Sequence, residues 1–228
     1  MKNLIATAVI LLSVTIGCKF PETSSNSSVP SNSANTAGSG APGKSTASTE
    51  DTRLSVSDAL RKLRSVPFVT TKTESTEANS SKTTEQYAAA DESYTRRSES
   101  GEDMEFIKIG KDYYSRMNSH WPWKKETGST DTAIEAFYGR YDRITRTLSE
   151  FSATTDTQET VDGKAANVVT LTAIKQSPEM PTSMKFWIDK ETGLPLKLVF
   201  ERSKDSKDTT TFDYQTPVKV ERPALDKK

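Results

Sequence analysis

The chain has 228 residues, 31 Lys and Arg against 31 Asp and Glu, a formal net charge of zero, and single His and Cys residues. With charge so balanced and no basic stripe along the sequence, a nucleic-acid partner is not expected. One His and one Cys exclude His/Cys zinc sites and His-based catalytic triads, so no metal centre, cofactor or enzyme of those kinds is expected.

Residues 1–17 read as a signal peptide. Lys2 gives a positive start, and Leu4–Ile16 is an apolar run too short for a bilayer core, which needs about 20 residues. The run ends at Gly17-Cys18. A small residue and then Cys after such a run is similar to a bacterial lipobox, although Thr15 stands where Leu is usual. That pattern predicts lipidation at Cys18, which becomes the mature N-terminus and anchors the chain to a membrane by more than one acyl chain. The alternative is an ordinary secretory signal with an incidental Cys. Residues 18–53 are dominated by Ser, Thr, Asn, Gly and Pro. They cannot bury enough surface to offset ordering entropy, and they are predicted to form a disordered tether.

Residues 54–225 make one globular domain by size, without a disulfide. Ser57–Arg64 reads as a short helix, capped by Ser55 or Ser57, with Val56, Leu60 and Leu63 on one face. From Phe68 to Lys125 short polar strands alternate with turn clusters at Ala78-Asn79-Ser80 and Ser98–Asp103. Met104–Ile109 and Asp112–Met117 form a hairpin around Gly110-Lys111. Trp121-Pro122-Trp123 closes the run at a sheet edge, because Pro122 lacks an N–H.

Thr130–Phe151 is the one long helical segment, capped by Thr130 or Asp131. Ile134, Phe137, Tyr138, Tyr141, Ile144, Leu148 and Phe151 recur at threes and fours, so an aromatic stripe must lie across a sheet. Arg140, Arg143 and Arg146 fall off that stripe, on a face expected to be solvated. Asp162-Gly163 then turns between Ala153–Val161 and Ala166–Lys175, and Thr209–Tyr214 is a last strand.

The densest apolar segment is Met184–Glu201, a β-hairpin around Asp189–Gly193. Met184, Phe186 and Ile188 alternate on its first strand, and Leu194, Leu196, Leu198 and Phe200 on its second. A three-residue loop puts both stripes on one face. A four-residue loop sets Trp187 beside Leu196 instead. The element order predicts an α+β, mostly β, fold: an antiparallel meander with helices on one face.

The chemistry of catalysis is missing. There is no Gly-rich phosphate loop and no G-x-S-x-G, and carboxylate neighbours such as Asp91-Glu92 and Glu102-Asp103 point to opposite faces.

Several segments carry a family resemblance. They are Phe186-Trp187-Ile188-Asp189, Thr192-Gly193-Leu194-Pro195, Thr210–Tyr214 with Pro217–Val220, Phe106–Tyr114 followed by Trp121-Pro122-Trp123, and Val161–Lys164. In this order the domain resembles the bacterial LolA/LolB lipoprotein-sorting family and the related LppX/LprG lipoproteins. The resemblance implies a strongly curved antiparallel sheet, a half-open barrel, whose concave face is covered by helices and holds acyl chains. It implies transport or sorting of a lipid or acylated lipoprotein at the cell envelope, facing the periplasm or cell exterior, with an envelope protein as a possible partner. The expected cavity lining is Met184, Phe186, Ile188, Leu194, Leu196, Leu198, Phe200, Ile134, Phe137 and Tyr141. The early strands are rich in Thr, Ser, Glu and Lys, which concentrates apolar lining on the second half. The competing reading is an envelope interaction or structural lipoprotein with a filled core and no lipid cargo.

Overall fold

The structure is a computed structural model and describes residues 48–76, 80–88, 92–127, 132–177 and 180–225, leaving aside the side chains of 132–136. The signal peptide, Cys18 and most of the tether lie outside the described residues, as do Ala78-Asn79 and the helix caps Thr130 and Asp131.

The first helix, α1, is Thr49–Lys62 and closes in a 3-10 turn at Leu63–Ser65. It begins eight residues before the predicted helix, inside the segment read as tether. The cause is local: Ser48 caps it, its Oγ accepting from the Asp51 N–H at 3.1 Å, and Glu50 and Asp51 complement the amino-terminal dipole. Two side chains from residues assigned to the tether reach the sheet. The Thr52 and Thr155 hydroxyls lie 3.2 Å apart, and Arg53 Nε donates to the Phe151 carbonyl at 2.9 Å.

Six strands follow: β1 (Phe68–Ser75), β2 (Ser81–Ala88), β3 (Glu92–Glu99), β4 (Glu102–Ile109), β5 (Asp112–Met117) and β6 (Lys124–Glu126). After helix α2 (Thr132–Thr147) come β7 (Phe151–Thr155), β8 (Glu159–Val161), β9 (Lys164–Ala173), β10 (Ser183–Asp189), β11 (Pro195–Ser203) and β12 (Ser206–Asp213). All twelve join one curved, open antiparallel sheet in the order β6-β5-β4-β3-β2-β1-β12-β11-β10-β9-β7, with β8 also on β9. Each half is a meander. The first and last strands meet in the middle, Thr71 opposite Phe212. Tight turns at Ser100-Gly101 and Asp162-Gly163 have positive φ at both residues, the geometry that matches the twist of a two-residue hairpin.

Both helices lie on the same face of the sheet, as the element order predicts. Val56, Leu60 and Leu63 from the first helical segment and Phe137, Tyr141 and Ile144 from α2 meet Val69, Tyr87, Leu171, Met184, Phe186, Leu198 and Phe212 in one core. The long helical segment ends earlier than its periodicity implies. Leu148–Glu150 is a 3-10 turn, and Phe151 opens β7 opposite Ala173. Apolar spacing alone cannot place that end, because a buried Phe serves a strand as well as a helix.

The β10–β11 hairpin resolves the choice of register. Its loop has four residues: Asp189 N–H donates to the Leu194 carbonyl at 2.9 Å, and Gly193 takes φ 70°. A β-bulge then corrects the stripe. Trp187 stands opposite Lys197 and Ile188 opposite Pro195, so Leu196 is the extra residue. Phe186 and Leu198 therefore oppose each other on the helix-covered face. Leu196 turns to the other face, joining Trp187, Val199, Ala166 and Val168 in a second cluster.

Candidate functional site

The covered face is not uniformly apolar. Along β1 and β2 it presents Thr71, Thr73, Glu85 and Tyr87, whereas β10 and β11 present Met184, Phe186, Leu198 and Phe200. Where α2 crosses between these regions a pocket of about 230 Å³ stays open. Its floor is Tyr141 and Ile144 of α2, Phe151, Met184 and Phe200, with Met180 and Pro181 on one side. Thr73 and Thr210, whose hydroxyls lie 2.9 Å apart, form a polar wall. Arg140, Arg143, Thr147, Arg202 and Asp208 complete the lining.

The ten residues predicted to line a cavity divide among several places. Tyr141, Met184 and Phe200 border the pocket. Phe137, Phe186 and Leu198 are at most 1% exposed and belong to the solid core, as does Ile188. Leu194 is half-buried in the hairpin loop, and Leu196 is on the opposite face because of the bulge. The side chain of Ile134 lies outside the described residues. Sequence reasoning did not place Phe151, Met180, Pro181 or the arginines here.

Arg140 departs from the expected solvated face. Its Nη2 donates to both Glu85 carboxylate oxygens, at 3.0 and 3.3 Å. Glu85 is buried on β2, and it also accepts from the Tyr87 hydroxyl at 3.2 Å and the Thr71 hydroxyl at 3.4 Å. A buried carboxylate needs such partners, and α2 delivers the only cation among them. The same enclosure acts on the phenols. Burial pushes the Tyr87 hydroxyl well above the usual tyrosine range, and the Glu85 charge adds to it. Burial raises Tyr141 too, so both phenols stay neutral. Arg202 is paired with Asp208 at 3.0 Å.

A second space, about 330 Å³, opens on the other face of the sheet. Its walls include Thr70, Lys72, Lys164, Thr211 and Asp213, with Leu196 at its edge. Val161, Phe212 and Tyr214 also line it, so its lining mixes polar and apolar side chains. Among the described residues no group of three His, Cys, Asp or Glu side chains could hold a metal, and no helix is long and apolar enough to cross a membrane.

The chain matches no family model and no curated protein. Its fold does match solved structures. The Mycobacterium tuberculosis lipoprotein LppX superposes with a TM-score of 0.57 and 14% identity, over 76% of this chain and 100% of LppX. LprF from Mycobacterium bovis superposes with a TM-score of 0.56 and 13% identity, over 78% of this chain and 99% of LprF. The architecture is therefore the half-open, helix-covered antiparallel sheet of the LppX type.

Proposed function

We propose that this chain is a membrane-anchored extracytoplasmic lipoprotein of the cell envelope, facing the periplasm or cell exterior. In this reading it binds an acyl chain of a lipid or acylated lipoprotein for transport or sorting. The observation that carries the reading is the pocket between α2 and the sheet, whose floor of Tyr141, Ile144, Phe151, Met184 and Phe200 remains unfilled. The LppX-type fold supports it, since LppX is itself a lipoprotein. Each buried CH₂ contributes about 0.8 kcal/mol, so a few methylenes make binding reversible but selective. At about 230 Å³ the pocket is below the roughly 300–1,000 Å³ of sites that enclose a whole drug-sized ligand. It takes one chain end rather than an entire lipid.

Native mass spectrometry of the full chain extracted from membranes tests this reading. We expect co-purified lipid on the native chain and its loss in Thr147→Trp. That residue lines the pocket near the end of α2, so an indole there fills the opening and leaves the core beneath untouched. Lipid retained by Thr147→Trp, with an unchanged melting temperature, would place the lipid elsewhere. No lipid on the native chain favours an envelope interaction module with a filled core. The packing of Phe137, Phe186 and Leu198 supports that second reading.

The anchor is a separate expectation. Cys18→Ala should shift the chain out of the membrane fraction or leave it with its signal peptide uncleaved. Normal processing with normal membrane association in that variant would rule out lipidation at Cys18.

A further inference from the structure

We infer that the pocket selects a single-chain amphiphile whose head carries one negative charge, held at Arg143. This rests on the acyl-chain reading above and specifies the ligand class. Charge counting around the pocket leads to it. The lining holds three cations, Arg140, Arg143 and Arg202, and one anion, Asp208. Arg140 is committed to Glu85, whose carboxylate lies buried on β2 with Tyr87 and Thr71 as its other partners. Arg202 is committed to Asp208. Arg143 has no ion pair with any described residue, and among those residues it is the one lining charge left uncompensated.

Its position suits a head group. Arg143 is exposed on α2, one residue before Ile144 of the floor and four before Thr147. A chain end resting on Ile144, Phe151 and Met184 would leave its polar head at the solvent edge, within reach of the guanidinium. A guanidinium offers two parallel N–H donors to a carboxylate or phosphodiester, a geometry that an alcohol head cannot use and a cationic head opposes. At about 230 Å³ the pocket matches the end of one chain and not of two or three. A fatty-acid carboxylate and the phosphodiester of a lysophospholipid share this chemistry.

The test uses the full chain in one neutral detergent, with decanoate, decanol, decyltrimethylammonium and lysophosphatidylglycerol as probes, read by native mass spectrometry. Decanoate should bind about fivefold more tightly than decanol at low ionic strength, the upper range for a solvent-exposed ion pair. The preference should shrink with added salt, and decyltrimethylammonium should bind worst. Arg143→Gln should erase the preference by weakening decanoate to the level of decanol, and Arg143→Lys should restore part of it. A preference shared by lysophosphatidylglycerol assigns the head to a phospholipid; one confined to decanoate assigns it to a free fatty acid. Equal binding of decanoate and decanol to the native chain overturns the inference while leaving the acyl-chain reading intact. So does a preference that survives in Arg143→Gln. If none of the four probes binds, the acyl-chain reading fails and this inference falls with it.

Discussion

Leu198→Asp is expected to abolish the cooperative thermal transition, whereas Leu196→Asp, two residues away on the same strand, should fold. Leu198 is 1% exposed, opposite Phe186 on one neighbouring strand and Thr210 on the other. Among the described residues the core cluster around it is apolar and holds no cation. A carboxylate there is buried without a partner, at a cost of about 3–5 kcal/mol and the lost packing besides. Against a total stability of about 5–15 kcal/mol, that is enough to unfold much of the population at room temperature. Leu196 is also buried, but the bulge sets it at the edge of the polar space that holds Lys72 and Lys164. There a new carboxylate borders an open space whose lining includes both lysines, and a loss of about 1–2 kcal/mol is expected. Circular dichroism melts of the two variants separate the cases. Equal losses would show that Leu196 and Leu198 share a face and that the bulge is absent in solution.

The second large effect concerns the ion pair between helix and sheet. Arg140→Met removes the only cation that reaches the buried Glu85 among the described residues, and about 2–3 kcal/mol of stability should go with it. The figure lies below that of a fully buried pair because the Arg140 side chain is 44% exposed against 10% for Glu85. Adding Glu85→Gln should recover most of the loss, since the amide needs no counter-charge and can still bond Tyr87 and Thr71. Urea denaturation of both single variants and the double variant gives the coupling directly. A coupling near zero would mean that α2 is held by its aromatic stripe alone.

Much of this architecture is legible in the sequence, wherever one residue type has one physical use. Gly110-Lys111 and Asp162-Gly163 turn where they are expected to, because few other pairs allow the backbone of a two-residue hairpin. The aromatic periodicity of α2 and the alternation of β10 likewise identify themselves. The start of α1 does not, because Thr49–Arg53 has no apolar stripe. It is helical through a Ser48 cap and two side chains that bond a strand about 100 residues later. The bulge is hidden for a similar reason: Leu196 is apolar and buried on whichever face it lies. The pocket is the least legible part. Its lining draws Phe151 from a strand and Met180 from a loop, and the arginines at its edge read as ordinary surface charge until Glu85 is known to lie beneath one of them. The only sequence signal was the three-residue spacing of Arg140 and Arg143 alongside the apolar stripe.

The seam between β1 and β12 also has a kinetic meaning. Every other neighbouring pair along the main order of the sheet is close in the chain, but Thr70 faces Asp213 about 140 positions later. Hairpins within each meander can close in microseconds. The seam must wait until two preformed halves find each other, because closing so long a loop carries an entropy cost that only the finished pairing repays. Until then each half carries one unpaired strand edge, that of β1 on one and of β12 on the other, each a template for the wrong partner. Those strands are rich in Thr, Lys, Glu and Asp rather than Val and Ile. Their polarity, a poor choice for lining a large apolar chamber, keeps the two waiting edges soluble while the chain assembles.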